Sequence, residues 1–133
     1  MNLLLVISGV VTTLLVANLV SRHRERKLAS QRSGQGFDGF AAYFYGQGIP
    51  ADKLYEVFNY FQDLQTMKNF PVLPDDDLYE VYGICDEDVD DAVIELAAKW
   101  RVRLPPDAEW GSMGTVSTVA DIVRLLSQRP ALA

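Results

Sequence analysis

Residues 2–27 read NLLLVISGVVTTLLVANLVSRHRERK, and the change of character after position 20 decides how the chain is built. Residues 2–20 carry no charge. As a helix at about 1.5 Å per residue they cover roughly 28 Å, close to a hydrocarbon core of about 30 Å. Gly9 is the single glycine in the run, and Ser8, Thr12 and Thr13 can bond their hydroxyls back to the helix. The flank SRHRERKLASQR follows at once, with Arg22, Arg24, Arg26, Lys27 and Arg32 against Glu25, a net +4. A cleaved signal peptide places its positive charge before the apolar run and closes it with small residues. Here the charge comes after. The pattern therefore predicts a transmembrane helix over 1–21, flanked at the membrane by Arg22, Arg24, Arg26 and Lys27. A cleaved signal and a buried core helix are the competing readings. The positive-inside rule places the N-terminus outside and the chain from Arg22 onward in the cytoplasm. The lone Cys85 suits a reducing compartment and excludes an internal disulfide.

Working outward, the whole chain is 133 residues, 49% apolar and 23% charged, so it has the composition of a folded chain. One histidine excludes HExxH zinc chemistry, and neither GxxxxGK[ST] nor GxSxG occurs. The net charge of −6 argues against nucleic acid as a partner. From Ser33 on, seven Lys/Arg face seventeen Asp/Glu, a net −10. Ten of those acids lie between Asp75 and Glu95 with no base among them. Such a run costs self-repulsion that a cation or a basic partner relieves. Calcium is the obvious cation, yet an EF-hand register from Asp86 puts Asp91 where Gly is needed and Ala97 where Glu is needed. The register from Asp75 fails in the same way, with Glu80 at the sixth position and Asp86 at the twelfth. No metal site is expected.

Residues 22–48 are expected to form a basic juxtamembrane segment and a Gly/aromatic linker, and 49–133 a helical domain. Within the linker, Phe37, Phe40, Tyr43, Phe44 and Tyr45 suggest a short helix over 37–45 that packs on its own domain, the membrane or a partner. A second helix is predicted over 50–67, with Leu54, Val57, Phe58, Phe61 and Leu64 as its stripe. Residues 70–77 form a loop fixed by Pro71 and Pro74, followed by an apolar turn, Leu78–Tyr82, ending at Gly83. A further helix is predicted over 89–100, capped by Asp88 with Asp91 third, its inner face Val89, Ala92, Val93, Leu96, Ala97 and Trp100. Residues 101–106 read as extended, a loop passes Trp110, Gly111 and Gly114, and a last helix runs over 119–128 with Thr118 as cap and Asp121 third. No internal repeat and no sustained alternation suggest a sheet. The expected fold is all-α, a single transmembrane helix plus a small three- or four-helix bundle.

Residues 50–128, about 60% of the chain, resemble the acyl carrier protein superfamily. The resemblance rests on Leu78 and Gly83, on the acidic start of the following helix, and on Ala92, Val93, Leu96 and Trp100 along it. It extends through Trp100-Arg101-Val102-Arg103-Leu104-Pro105 and Thr118-Val119-Ala120-Asp121-Ile122-Val123. The family carries 4′-phosphopantetheine on a serine in Asp-Ser-Leu. Counting from Gly83, that serine position is Asp86, preceded by Cys85 and followed by Glu87, and no serine lies between Ser33 and Ser112. The match thus implies a divergent bacterial member with no prosthetic arm and no other cofactor, and an acyl-carrier-like bundle. Cys85 is expected to be a packing residue.

What the resemblance retains is a recognition surface. The family docks on partners through the acidic face of this helix, which here is Asp86, Asp88, Asp90, Asp91 and Glu95. Such complementarity steers association and fixes orientation. The chain is accordingly expected to be no enzyme but a single-pass inner-membrane interaction module, an accessory subunit of a bacterial membrane complex. Its expected partners are the lipid bilayer, integral membrane subunits and a basic protein surface facing helix 89–100. Two alternatives stand beside this: a functional acyl carrier or lipid-pathway partner, and a membrane-tethered enzyme joining Asp75–Asp77 to Asp88–Asp91 through a divalent metal.

Overall fold

The computed structural model describes residues 2–106 and 115–132; the loop expected at Trp110, Gly111 and Gly114 lies outside them. The described residues form six helices and no strand: α1 (Leu3–Gln31), α2 (Phe37–Tyr43), α3 (Ala51–Asp63), α4 (Leu78–Tyr82), α5 (Asp86–Trp100) and α6 (Val119–Ser127). The chain divides into two compact units at Ser33/Gly34. An all-α fold with one long apolar N-terminal helix is therefore what these residues build.

The first unit is α1, whose 29 residues extend about 43 Å. It is long and apolar enough to cross a membrane, with a mean hydropathy of 2.4 over its apolar window and none of that window buried. A signal sequence near an N-terminus has the same character, whereas a core helix would be packed. The Thr12 hydroxyl donates to the Ser8 carbonyl and the Thr13 hydroxyl to that of Gly9, both at 2.8 Å, so neither polar group is left unsatisfied in an apolar medium. The basic flank continues the same helix to Gln31 without a break.

The second unit starts before its expected boundary at residue 49, because the aromatic segment is part of its core. Phe40 and Phe44 are buried. Phe37 meets Tyr55 and Phe58 edge-on at 5.1 and 5.6 Å, and Phe40 meets Phe58 at 5.5 Å, geometries that suit the ring quadrupoles. Tyr43 closes the end of α2: its hydroxyl donates to Asp75, and it accepts from Arg124, whose guanidinium lies 5.8 Å from the ring centre. Tyr45 points outward, 92% exposed, and Tyr43 is 40% exposed.

Helix α3 stops at Asp63, four residues short of the expected end. The Gln62 amide donates to the Phe70 carbonyl and that of Gln65 to the Val81 carbonyl, and these bonds turn the chain back. Leu64 falls at the C-cap and is exposed, not part of the stripe. The proline loop fills core, with Phe70, Pro71, Val72 and Pro74 buried. Asp77 caps α4 by accepting from the Tyr79 and Glu80 amides at 2.9 Å. Gly83 ends it at φ 69°, where the Gly83 N–H donates to the Tyr79 carbonyl, a left-handed close that suits a residue without Cβ.

Helix α5 begins three residues before the expected start, at Asp86. Its N-cap is Cys85, with no side-chain bond, in place of Asp88. The reason is electrostatic: Asp86, Glu87 and Asp88 occupy the first turn, where the positive end of the helix dipole favours carboxylates. The expected inner face is buried. Packing of α3 on α2 and α5, and of α5 on α6, places Val57, Phe61, Val93, Leu96, Ile122 and Leu126 in the solvent-free centre.

Helix α6 begins as expected. Thr118 Oγ1 accepts from the Asp121 amide, while Asp121 accepts from the Ser117 and Thr118 amides at 3.0 Å. Burial opposes ionisation of Asp121. The bonds from the Ser117 and Thr118 backbone, then those from their side chains, outweigh it and hold the carboxyl below its ordinary range.

Three substitutions test this packing and capping. Phe40→Ala lowers the unfolding free energy by about 3–5 kcal/mol in chemical denaturation, and Tyr45→Ala changes it by less than about 0.5 kcal/mol. A folded-state carboxyl with a lowered pKa stabilises above its unfolded pKa and loses that contribution as pH falls through the folded value. Asp121→Asn therefore lowers the denaturation midpoint at neutral pH, and the gap to the parent protein closes in acid.

Candidate protein-docking surface on helix α5

The candidate surface is a consequence of helical geometry. With Val89, Ala92, Val93, Leu96, Ala97 and Trp100 turned inward, the remaining positions must face solvent. Asp86, Glu87, Asp88, Asp90, Asp91 and Glu95 are all exposed. The five predicted partner-binding residues, Asp86, Asp88, Asp90, Asp91 and Glu95, thus lie on one element. The first base on the helix is Lys99, in the last turn, where it offsets the negative end of the dipole.

Two features of this face escaped the sequence argument. Ile94 is 52% exposed. It stands one helical turn from both Asp90 and Asp91, which places an apolar group inside the carboxylate field. The signal for it was a branched apolar residue outside the inner stripe, easily taken for core in a helix this rich in Val and Leu. The second feature is Tyr60 on α3. Burial, then the Glu95 charge, a hydrogen bond to Glu95 and the Asp91 charge together raise its phenol pKa above the ordinary value. The Lys99 ammonium lies 5.7 Å from the Tyr60 ring centre. Glu95 is therefore partly engaged at the edge of the face, and Asp86, Asp88, Asp90 and Asp91 form its open part.

Asp75, Asp76 and Asp77 of the run are engaged within the unit. Asp75 accepts from Tyr43. Asp76 is buried and accepts from the Leu73 amide at 2.9 Å and the Tyr82 hydroxyl at 2.8 Å. Asp77 is the α4 cap. Among the described residues no group of three or more His, Cys, Asp or Glu could hold a metal ion. Cys85 is exposed, contrary to the expected packing role, because the early start of α5 makes it a cap instead of a core residue. Asp86 is the exposed first residue of α5.

Elsewhere, Arg22, Arg24, Arg26 and Lys27 are exposed on α1. Gly34, Gly36 and Gly39 have GxGxxG spacing. A dinucleotide fingerprint follows a strand and opens a long helix; these glycines follow α1 and lead into the seven-residue α2, with no strand among the described residues. No known family model, curated protein or solved structure matches the chain.

The Glu95–Tyr60 link is open to titration. Glu95→Gln brings the Tyr60 phenol part of the way back toward the ordinary value of 10.0 in an ultraviolet pH titration, with burial holding the remainder of the upward shift.

Proposed function

We propose that the chain is a non-catalytic, membrane-anchored interaction module, an accessory subunit of a larger bacterial inner-membrane complex. In this reading α1 is the anchor, with the N-terminus outside and the second unit in the cytoplasm. Support for that orientation comes from Arg22, Arg24, Arg26 and Lys27 directly after the apolar run, since cytoplasmic flanks carry the excess of Lys and Arg. The observation that carries the docking role is the exposed face of α5, with Asp86, Asp88, Asp90 and Asp91 around Ile94. The partner surface is basic with an apolar recess. The charges steer and orient the encounter, and burial of Ile94 supplies the apolar contact. Anchoring raises the effective concentration for neighbours in the same bilayer.

An acyl-carrier-like bundle is part of the proposal. Its support is the short helix closed by Gly83 ahead of α5, the run from Trp100 to Pro105, and α6 opening on Thr118-Val119 with Asp121 third. Asp86 at the serine position favours recognition without a prosthetic arm: a carboxylate does not form the stable phosphodiester that serine does.

Affinity purification of the full chain from gently solubilised membranes tests this. Membrane subunits co-purify with the parent protein at low salt. In Asp90→Lys/Asp91→Lys and in Ile94→Ser their yield drops at least about tenfold, the equivalent of about 1.4 kcal/mol, while the chain stays in the membrane fraction. A membrane-impermeant maleimide labels Cys85 only after the cytoplasmic side is opened. Recovery of the parent chain alone, retention of the same partners by both variants, or a phosphopantetheine mass increment would overturn the proposal.

A further inference from the structure

A groove of about 350 Å³ opens at the far end of α5, where the chain enters α3 and leaves α6. It lies about 21 Å along the helix from Asp86. Half-exposed Ile49 lines it together with the edges of Trp100 and Val102, which are 4% and 5% exposed. The indole is fixed, because its N–H donates to the Lys53 carbonyl at 3.0 Å. The charged residues of the lining are Lys53 and Arg129. The Lys53 ammonium stands 5.4 Å from the Trp100 ring centre. Arg129 donates its Nε–H to the Arg103 carbonyl at 3.1 Å, which holds the guanidinium plane at the groove.

The charge distribution is the informative part. The second unit has seven Lys/Arg against seventeen Asp/Glu. Two of those seven bases line this one groove, and no Asp or Glu is among its described lining residues. In a strongly acidic unit it is a place where an anion meets attraction at short range, beside an apolar lining with an aromatic edge. The volume falls at the small end of ligand sites, which run about 300–1,000 Å³. A single short chain or ring fits that space, and the paired chains of a bilayer lipid do not.

We propose that this groove binds a small amphipathic anion, a carboxylate or phosphate on one short apolar chain or ring. The apolar body lies on Ile49 and the exposed edges of Trp100 and Val102, and the anionic head lies between Lys53 and Arg129. Arg offers a planar fork suited to either oxyanion, and Lys supplies a point charge. The site is separate from the acidic face of α5 and does not depend on the docking role proposed for it.

The test uses the full chain in phosphatidylcholine nanodiscs, with a Trp110→Phe background so that Trp100 gives the one indole signal. Sodium octanoate and octyl phosphate are titrated and followed by amide and indole NMR, with octanol as the uncharged control. Saturable shifts are expected at the Trp100 indole N–H and at residues 47–53 and 126–129. Octanol binds at least about tenfold more weakly, and Lys53→Gln/Arg129→Gln abolishes the octanoate shifts while leaving the rest of the spectrum folded. Equal response to octanol, shifts spread over the whole unit, or no response to either anion would overturn the proposal. So would groove shifts that appear only when phosphatidylglycerol replaces part of the nanodisc lipid. Because the double variant could lose stability, Lys53→Arg serves as a second control: it keeps the charge and must keep octanoate binding within about threefold.

Discussion

A unit with a net charge of −10 has to be held together by contacts that do not depend on charge. Its like charges repel at every separation shorter than the screening length, about 8 Å in physiological salt. What opposes this is the apolar layer shared by α3, α5 and α6, extended by the aromatic rings of α2. Val57, Phe61, Phe70, Leu96, Ile122 and Leu126 are wholly or almost wholly removed from water. The aromatic segment belongs to that layer for the same reason. A small unit buries a modest fraction of its surface, so Phe40 and Phe44 are needed inside and cannot also serve as a bilayer or partner contact.

Given that core, the acids are sorted by the local backbone. Asp77 and Asp121 satisfy amides at helix starts, and Asp76 organises the proline loop. Asp86, Glu87 and Asp88 sit in the first turn of α5, where the dipole lowers the cost of crowding them. Of the twelve exposed acids among the described residues, six lie on this one helix. The same helix has an apolar side turned to the core and, at its other end, a groove lined by cations. Charge segregation of this kind gives one element two chemically opposite ends, and both proposals above draw on it.

Helix existence was legible because the apolar spacing along α3, α5 and α6 is regular and the Thr118–Asp121 cap is local. Helix ends were less so. The start of α5 was misplaced by three residues because Asp88 has the composition of a capping residue, while the favourable placement of three carboxylates in one turn competes with any cap. The end of α3 depends on Gln62 and Gln65 reaching Phe70 and Val81, contacts to a distant part of the chain that spacing cannot reveal. Of the candidate docking surface, the exposed acids were legible and Ile94 and Tyr60 were not. Whether a branched residue is core or surface depends on which neighbours arrive.

Sequence alone determined the division into an apolar rod and an acidic helical unit, the helical class, and the caps at Thr118 and Gly83. These follow from hydropathy, charge and backbone preference within a few residues. Tertiary structure decided that the aromatic segment is core, that Asp75 meets Tyr43, and that Lys53 and Arg129 share a groove with Trp100. Each of these depends on groups far apart in the chain meeting in space, and one-dimensional spacing does not contain that distance.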